Sequence, residues 1–263
     1  MNFIPANYKT ELSLYDNLCN DIEDMKILLY EGKSGYGKTT LLRHCLNKPK
    51  NKILNVKFCF KSGAISIGEI FFKTIATLGE TKFVEFNKAL NSLSTELVVN
   101  VSNIEQLGTK NRIELALYAH DESDKKFREL LLTEAWWKDL QAINSKVVFV
   151  FDTFEKVGNN LNDWIISSFL PRIPYLKNVK VVIAGQNVPD SNNIDWGEYC
   201  KHIILQGISN PHEWVSIIEQ KNKSINFTVD SINWLHGVCN ALQGSPALIL
   251  KIIDDLPEKE KVI

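Results

Sequence analysis

The sequence lacks an excess of charge of either sign, because 30 basic residues stand against 31 acidic ones and the formal net charge is −1. No overall field therefore draws the chain to nucleic acid or to an anionic membrane surface, although a local basic patch is still possible. Long apolar runs are missing too: the run over 147–151 is far shorter than the roughly 20 residues that cross a bilayer. The N-terminus shows no signal-peptide pattern. We therefore expect no association with a membrane.

Cysteine pairs with the spacing of a disulfide framework or a metal site are also missing. The five cysteines are odd in number, include no CxxC pair and show no metal-ligand spacing with the five histidines. Such usage is typical of a reducing compartment, where thiols are buried rather than paired. We expect a cytoplasmic protein.

What the chain does have is the composition of a globular protein. Its hydrophobic fraction of 44% and charged fraction of 23% exclude a disordered or fibrous chain. A length of 263 residues lies near the upper limit for one hydrophobic core, which predicts one large domain and a small appendage. We place the core at residues 1–208 and the appendage at 209–263.

Short β-branched or aromatic runs alternate with longer helical stretches, which is typical of an α/β fold with a mainly parallel sheet flanked by helices. All of the runs but the second are continuously apolar, so we expect those strands to be buried on both faces. Several helices are predicted over 66–143, although the middle near 100–110 fits no element. The predicted strands are 26–30, 53–60, 147–151, 179–184 and 202–205.

After the fifth run the pattern becomes wholly helical. Pro211 is placed to open a helix that carries Trp214 and Ile217, and a second helix is predicted over 229–242. These helices predict a small C-terminal helical lid. The six tryptophans are assigned mostly to packing, but the neighbours Trp136 and Trp137 must point in different directions, so one of them could face a partner.

The strongest chemical signal is a full match to the phosphate-loop pattern GxxxxGK(S/T), placed between an apolar strand and a helical stretch. Small residues let successive backbone N–H groups turn toward a phosphate, and the following helix adds the positive end of its dipole. Lys38 is expected to reach the β- and γ-phosphates of ATP, and Thr39 to bind Mg²⁺. A chance glycine-rich turn is the alternative. The candidate ATP-binding residues here are Gly32, Lys33, Ser34, Gly35, Tyr36, Gly37, Lys38, Thr39 and Thr40.

A phosphate loop that hydrolyses nucleotide needs a carboxylate on a neighbouring strand to hold hydrated Mg²⁺, and commonly another to polarise the attacking water. Asp152 ends an apolar run and is the predicted metal ligand. Glu155 is the candidate for the second role, with capping of the next helix as the alternative. Gln186 follows run 179–184 and would lie beside the γ-phosphate if that strand neighbours the central one; a plain polar turn is the alternative. With Lys38, these three residues are the candidate catalytic set.

Several segments together resemble the STAND class of P-loop ATPases, the signal-transduction relatives of AAA+ proteins that include NACHT and NB-ARC modules. The resemblance implies a P-loop NTPase core that binds ATP or ADP with Mg²⁺, and a lid whose Pro246 contacts the base. It also implies that the opening segment, with Phe3 and Ile4, packs on adenine. The segments are the phosphate loop, VFVFDTFE at 148–155, VVIAGQ at 181–186 and GSPAL at 244–248.

The resemblance also implies a function, with two departures that bear on rate. Gln186 stands where many relatives carry arginine, and Thr153 stands where an acid often follows Asp152, which weakens charge stabilisation of the transition state. We therefore expect slow hydrolysis or nucleotide-switched binding. In such a module the ATP state controls self-association or binding to another subunit with sensor or effector function, as in bacterial antiviral or stress signalling. Only thirteen residues follow Leu250, so we expect an excised module or a minimal subunit.

Other functions are consistent with a phosphate loop. A DNA-associated AAA+-like regulator is the first; the neutral charge and the missing helix-turn-helix pattern count against it, and nucleic acid is possible but not indicated. A P-loop kinase needs an arginine-rich lid, whereas no arginine follows Arg172. A scaffold with a decayed site would have no physical reason to keep Lys38, Thr39 and Asp152 together.

Overall fold

Five apolar segments pair in parallel into one sheet, in a computed structural model that describes residues 8–47, 53–63, 65–97, 108–118, 121–225 and 229–258. The strands are β1 (Ile27–Glu31), β2 (Ile53–Cys59), β3 (Lys146–Asp152), β4 (Val179–Gly185) and β5 (Cys200–Ile204). Their order across the sheet is β2-β3-β4-β1-β5. Because all strands are parallel, their carboxyl ends lie at one edge, where ligands bind in open α/β sheets.

Helices cover both faces of this sheet and continue beyond it. Several begin at side-chain caps: the Asp121 carboxylate accepts hydrogen bonds from the N–H groups of Ser123 and Asp124, and Asn210 caps the helix that Pro211 opens. In the described part of the chain the α-helices are α1 (Lys9–Asn20), α2 (Lys38–Asn47), α3 (Ile67–Leu78), α4 (Val84–Leu97), α5 (Thr109–Leu117), α6 (Glu122–Ala142), α7 (Asn159–Trp164), α8 (Pro211–Gln220), α9 (Val229–Ala241) and α10 (Pro246–Asp254).

The interior strand β3 lies between two layers of the core. Val147, Phe149 and Phe151 join the apolar cluster under α3, α4 and α6, whereas Val148 and Val150 join the cluster under α1 and α2. Each side chain follows the period of two along a strand. Burial on both faces explains why β3 reads as a continuous apolar run.

The predicted α/β class and mainly parallel sheet are confirmed, and each strand lies within two residues of its predicted range. The expectation of burial on both faces is wrong for β5. Among the described residues this strand forms an edge of the sheet with β1 as its one partner, so its residues are partly exposed, Ile204 by 60%. Trp136 and Trp137 are both buried, against the idea that one faces a partner. Most of the unassigned stretch near 100–110 lies outside the described residues.

The last three helices have an apolar cluster of their own, separate from the two layers of the sheet. Its buried members come from the segment after β5 and from α8, α9 and α10. This separation supports the predicted boundary near residue 208, which stays a prediction. In the part of the chain described, no helix is both long and apolar enough to cross a membrane. The buried members of this lid cluster are Ile208, Trp214, Ile217, Ile218, Leu235, Cys239, Ile249 and Ile253.

Candidate functional site

The phosphate loop lies at the carboxyl edge of the sheet, between the end of β1 and the first residue of α2. Gly35 and Gly37 have φ values of +82° and +79°, in the left-handed region that favours glycine. A Cβ on Gly37 would lie 2.6 Å from the Tyr8 hydroxyl, so this position also has no room for a side chain. The loop runs directly into the N-terminal end of α2, where the positive end of the helix dipole favours a bound anion.

Lys38 opens α2 and folds its side chain back along the loop. Its ammonium donates hydrogen bonds to the carbonyl oxygens of Gly32, at 2.5 Å, and Lys33, at 3.0 Å. Burial lowers the pKa of Lys38, and the negative charges of Glu155 and Asp152 partly oppose that shift. A buried cation is thus held within the loop, next to two carboxylates.

Thr39 and Asp152 meet across the ends of α2 and β3. The Thr39 hydroxyl donates a hydrogen bond to Oδ1 of Asp152 at 3.1 Å, and Asp152 is only 2% exposed. A hydroxyl and a carboxylate side by side are hard oxygen ligands, which Mg²⁺ prefers while it keeps several waters. The residues present fit that ion.

Glu155 and Gln186 also meet, although they follow different strands. Strand β4 lies beside β3, as the expectation for Gln186 required. One oxygen of the Glu155 carboxylate accepts the Gln186 backbone N–H at 2.8 Å, and the other accepts its side-chain amide at 3.1 Å. Burial alone would raise the pKa of Glu155, but these hydrogen bonds and the Lys38 charge outweigh it and lower the pKa. Glu155 does not cap α7, whose N-cap is Gly158.

These side chains border a cavity of about 450 Å³ between the sheet edge and the lid. Its sheet end is charged and polar, while its lid end is apolar. A small number of polar groups facing a largely apolar wall is typical of a small-molecule site. The lining residues on the sheet side include Ser34, Gly35, Gly37, Lys38, Thr39, Thr40, Asp152, Glu155 and Gln186, and those on the lid side are Ile208, Trp214, Ile217, Pro246, Ala247 and Leu250.

The lid touches the phosphate loop directly. The Ala247 N–H, in the first turn of α10, donates a hydrogen bond to the Gly35 carbonyl at 3.1 Å. The Tyr36 hydroxyl donates to the carbonyl of Gln243 at 3.3 Å. Pro246 is the first residue of α10 and lines the cavity. Its contact with the base stays a prediction. Two hydrogen bonds therefore join the phosphate loop to α10 and to the turn before it.

Tyr8 and Trp214 are among the cavity residues that the sequence did not predict. Tyr8 is buried and donates a hydrogen bond from its hydroxyl to the Tyr36 carbonyl; burial and the nearby Glu11 charge raise its pKa to about 12. Trp214, assigned to packing, both packs in the lid and lines the cavity. No motif marks a single tyrosine ahead of α1. Phe3 and Ile4, expected on the adenine, lie outside the described residues.

The fold of this chain is similar to the folds of several solved structures. No protein-family model matches the sequence, and no curated protein matches it. Among solved structures, a STAND protein with a tetratricopeptide repeat sensor from Pyrococcus horikoshii is 18% identical over 96% of this chain and 30% of that chain, with a TM-score of 0.49. The ORC1 protein of Aeropyrum pernix, solved in complex with DNA, is 13% identical over 95% of this chain and 59% of that one, with a TM-score of 0.50.

A third similar structure is Cdc6p from Pyrobaculum aerophilum, with 15% identity, coverage of 84% of this chain and 52% of that chain, and a TM-score of 0.44. The chain thus spans less than two thirds of each of these structures. At such identities the likeness concerns the fold. Together with the parallel sheet and the phosphate loop between β1 and α2, the likeness to ORC1 shows that this chain has the α/β fold of the P-loop NTPases.

Proposed function

We propose that this chain is a Mg²⁺-dependent, slowly hydrolysing ATPase module of STAND type, whose nucleotide state controls self-association or binding to another protein subunit. The observation that carries the proposal is the cavity between the sheet edge and the lid. Its polar end joins a phosphate loop, a lysine, a hydroxyl and two carboxylates, and its apolar end suits a base. One nucleotide would fill both ends.

Each residue at the polar end has a distinct role in this proposal. The loop N–H groups and Lys38 bind the β- and γ-phosphates, and Thr39 and Asp152 hold Mg²⁺. When bound, Mg²⁺ supplies positive charge that offsets the charge of the phosphate oxygens. Glu155 accepts a proton from water as the water oxygen bonds to the γ-phosphorus and the bond from that phosphorus to ADP breaks.

The lid supplies the wall for the base. Ile208, Trp214 and Pro246 present apolar surface to the cavity, and Leu250 extends it along α10. Burying a flat purine against such surface is favourable because apolar area leaves water. ATP and ADP share this contact, so the γ-phosphate alone distinguishes them.

We propose slow hydrolysis because of the kind of positively charged side chains that lie near the site. Of the residues described as lining the cavity, none is arginine. Arg128 pairs with Asp124, and Arg172 pairs with Glu134, both away from the phosphate loop. The cationic side chains described as lining the cavity are the lysines Lys38, Lys61 and Lys156. With Mg²⁺ they would offset charge on the γ-phosphate oxygens, but none offers the paired donors of an arginine, which would stabilise the transition state further.

The switching role is supported by the two hydrogen bonds that join the phosphate loop to the lid. Binding or loss of the γ-phosphate at the loop would move Gly35 and Tyr36, and both residues are hydrogen-bonded to the lid.

A place in bacterial antiviral or stress signalling is also proposed, and it rests on the family resemblance. A cytoplasmic location is proposed from the cysteine usage.

A DNA-associated ATPase is the second candidate, favoured by one observation. The ORC1 structure with the same fold was solved in complex with DNA. The net charge of −1 speaks against a large phosphate-binding surface on a single chain. Binding of duplex DNA that weakens steeply between low and physiological salt would favour this candidate.

Phosphate release from ATP by the purified chain tests the proposed activity. We expect release that needs Mg²⁺ and that falls at least about 100-fold in Glu155→Gln, which keeps ATP binding but cannot accept the proton. Glu198→Gln, at an exposed glutamate outside the cavity, is the matched control and should hydrolyse ATP like the wild type. A wild-type chain that neither binds ATP nor releases phosphate would overturn the proposal.

A further inference from the structure

A second cavity, of about 580 Å³, lies at the same edge of the sheet on the side of β5. It is bordered by the other side of the phosphate loop and by the residues that follow β1, β4 and β5. Glu155, Lys156 and Gln186 line both cavities, so the hydrogen-bonded pair of Glu155 and Gln186 lies in the wall that the cavities share. The residues described as lining the second cavity all precede the lid.

Two hydrogen bonds join Glu155 and Gln186. Both carboxylate oxygens of Glu155 accept from Gln186, one from the backbone N–H at 2.8 Å and one from the side-chain amide at 3.1 Å. A Cβ on Gly185 would lie 2.6 Å from the Asn187 carbonyl oxygen and 3.1 Å from Oε2 of Glu155, so the backbone turn requires the glycine first. The Glu155 carboxylate lies against the end of β4, where both hydrogen bonds hold it.

We propose that Gln186 is a positioning residue for Glu155 rather than a sensor of the γ-phosphate. Its amide holds the carboxylate in the shared wall, aimed at a water that enters from the second cavity. The inference rests on the proposed ATPase function and deepens it by assigning the residue that orients the base.

The hydrogen-bonding capacity of the two side chains supports this assignment. The Gln186 amide nitrogen already donates to Glu155, which turns it toward the base. Each carboxylate oxygen has two lone pairs, so Glu155 can accept both from Gln186 and from a water. Donors to a carboxylate favour its charged form, in agreement with the lowered pKa of Glu155. A charged, fixed carboxylate is what a general base needs at neutral pH.

The pH profile of kcat for ATP hydrolysis tests the proposal. Gln186→Leu removes the amide donor, so the pKa of Glu155 rises and the acid limb of the profile moves to higher pH. We expect kcat at neutral pH to fall about tenfold while KM stays unchanged. Gln186→Glu also adds a negative charge beside Glu155, so the limb moves further. Gln186 is exposed, so neither change opens a core. Gln220→Leu, at an exposed glutamine at the end of α8, should leave the profile as it is.

A sensor role predicts the opposite pattern. If Gln186 contacts the γ-phosphate, Gln186→Leu weakens binding of a non-hydrolysable ATP analogue relative to ADP and leaves the acid limb in place. That result would overturn the proposal. The expected result is an unchanged ratio of the two affinities together with a shifted limb.

A titration of the nucleotide-free protein separates this proposal from the ATPase itself. Glutamate side-chain carboxyl carbons are labelled with carbon-13, and Glu155→Gln identifies the Glu155 signal by its loss. We expect a higher pKa for Glu155 in Gln186→Leu than in the wild type, whether or not ATP is hydrolysed. An unchanged pKa would overturn the positioning role and leave the proposed activity standing, whereas a wild-type chain without phosphate release would overturn the proposed activity and the positioning role with it.

Discussion

Asp152 is a carboxylate in an almost fully buried position, with the neutral hydroxyl of Thr39 as its hydrogen-bond donor. A buried charge with so few partners costs free energy unless a cation lies close by. Lys38 is near enough for the charge of Asp152 to influence its pKa, and Mg²⁺ in the proposed site would supply the rest. The position of Asp152 is therefore consistent with the metal-binding role that we propose for it.

Replacing this carboxylate should remove the effect of Mg²⁺ on ATP binding. In Asp152→Asn we expect the gain in ATP affinity on adding Mg²⁺ to shrink at least about tenfold, because the metal loses its charged ligand. Calorimetric titration with ATP, with and without Mg²⁺, measures the gain. Asp163→Asn, at an exposed aspartate of α7, should show the full gain. Equal gains in the two variants would contradict the metal assignment.

Tyr8 connects the segment before α1 to the phosphate loop. Tyr8→Phe removes the hydrogen bond to the Tyr36 carbonyl from a buried site, so we expect the free energy of unfolding to fall by about 1 kcal/mol. The pKa of about 12 keeps the hydroxyl protonated below pH 10, so the loss should be the same at pH 6 and at pH 9. Urea unfolding at both values measures it; a loss confined to one of them counts against the assigned bond.

The identity of the site residues could be predicted, but not all of their contacts. Asp152, Glu155 and Gln186 were recognised because each follows an apolar run, and such runs end at one edge of a parallel sheet. The pairing of Glu155 with Gln186 depends on β4 lying beside β3, which the order of elements along the chain does not fix. Tyr8 carries no pattern at all, because its role comes from where α1 packs.

At the scale of elements, the junction between the segment after β5 and the turn before α10 depends on backbone contacts. The turn before α10 passes close to the segment after β5: the Ile208 N–H donates to the Gly244 carbonyl at 2.8 Å. Gly244 has a φ of +65°, and a Cβ there would lie 2.6 Å from the Ile208 nitrogen. Glycine is therefore required for this close approach of two backbone segments.

Gly244→Ala should consequently loosen the lid. We expect a loss of about 2 kcal/mol or more in the free energy of unfolding, from the left-handed backbone and the backbone clash. Gly237→Ala is the matched control in α9, where nothing lies within 4 Å of the added Cβ, and helix propensity predicts a gain of roughly 0.5–1 kcal/mol. Urea unfolding of both variants provides the comparison. Similar free energies of unfolding in Gly244→Ala and Gly237→Ala would show that glycine is not required at this junction.

Strand positions were predictable because buried parallel strands are apolar throughout, but the place of a strand within the sheet was not. The predicted run 202–205 suggested a buried strand, but β5 also includes Lys201 and forms an edge, and its exposure follows from having one described neighbour. The helix at Pro211 was predictable for a local reason: a side-chain cap and a proline at the first turn act within a few residues.

For the molecule as a whole, the length predicted one core and an appendage, and the structure contains two apolar layers around the sheet and a third cluster in the lid. Length alone could not show that the appendage closes over the phosphate loop. That arrangement depends on the contacts of Gly35 and Tyr36 with the turn and first residues of α10.

Assembly should therefore respond to the nucleotide. We expect the molar mass or the hydrodynamic radius to differ between the ADP-bound chain and the chain bound to a non-hydrolysable ATP analogue, because loop and lid move together. Size-exclusion chromatography with light scattering measures both quantities. The same mass and radius in the two states would speak strongly against a nucleotide switch.

The central claim is that ATP binds at the phosphate loop between the sheet and the lid. Isothermal titration calorimetry with Mg²⁺ and ATP tests it directly on the wild type, on Lys38→Ala and on Lys177→Ala, an exposed lysine outside the cavity. We predict one bound nucleotide per chain for the wild type and for Lys177→Ala, and no measurable binding for Lys38→Ala. ATP affinity retained in Lys38→Ala, or no binding to the wild type, would contradict the claim.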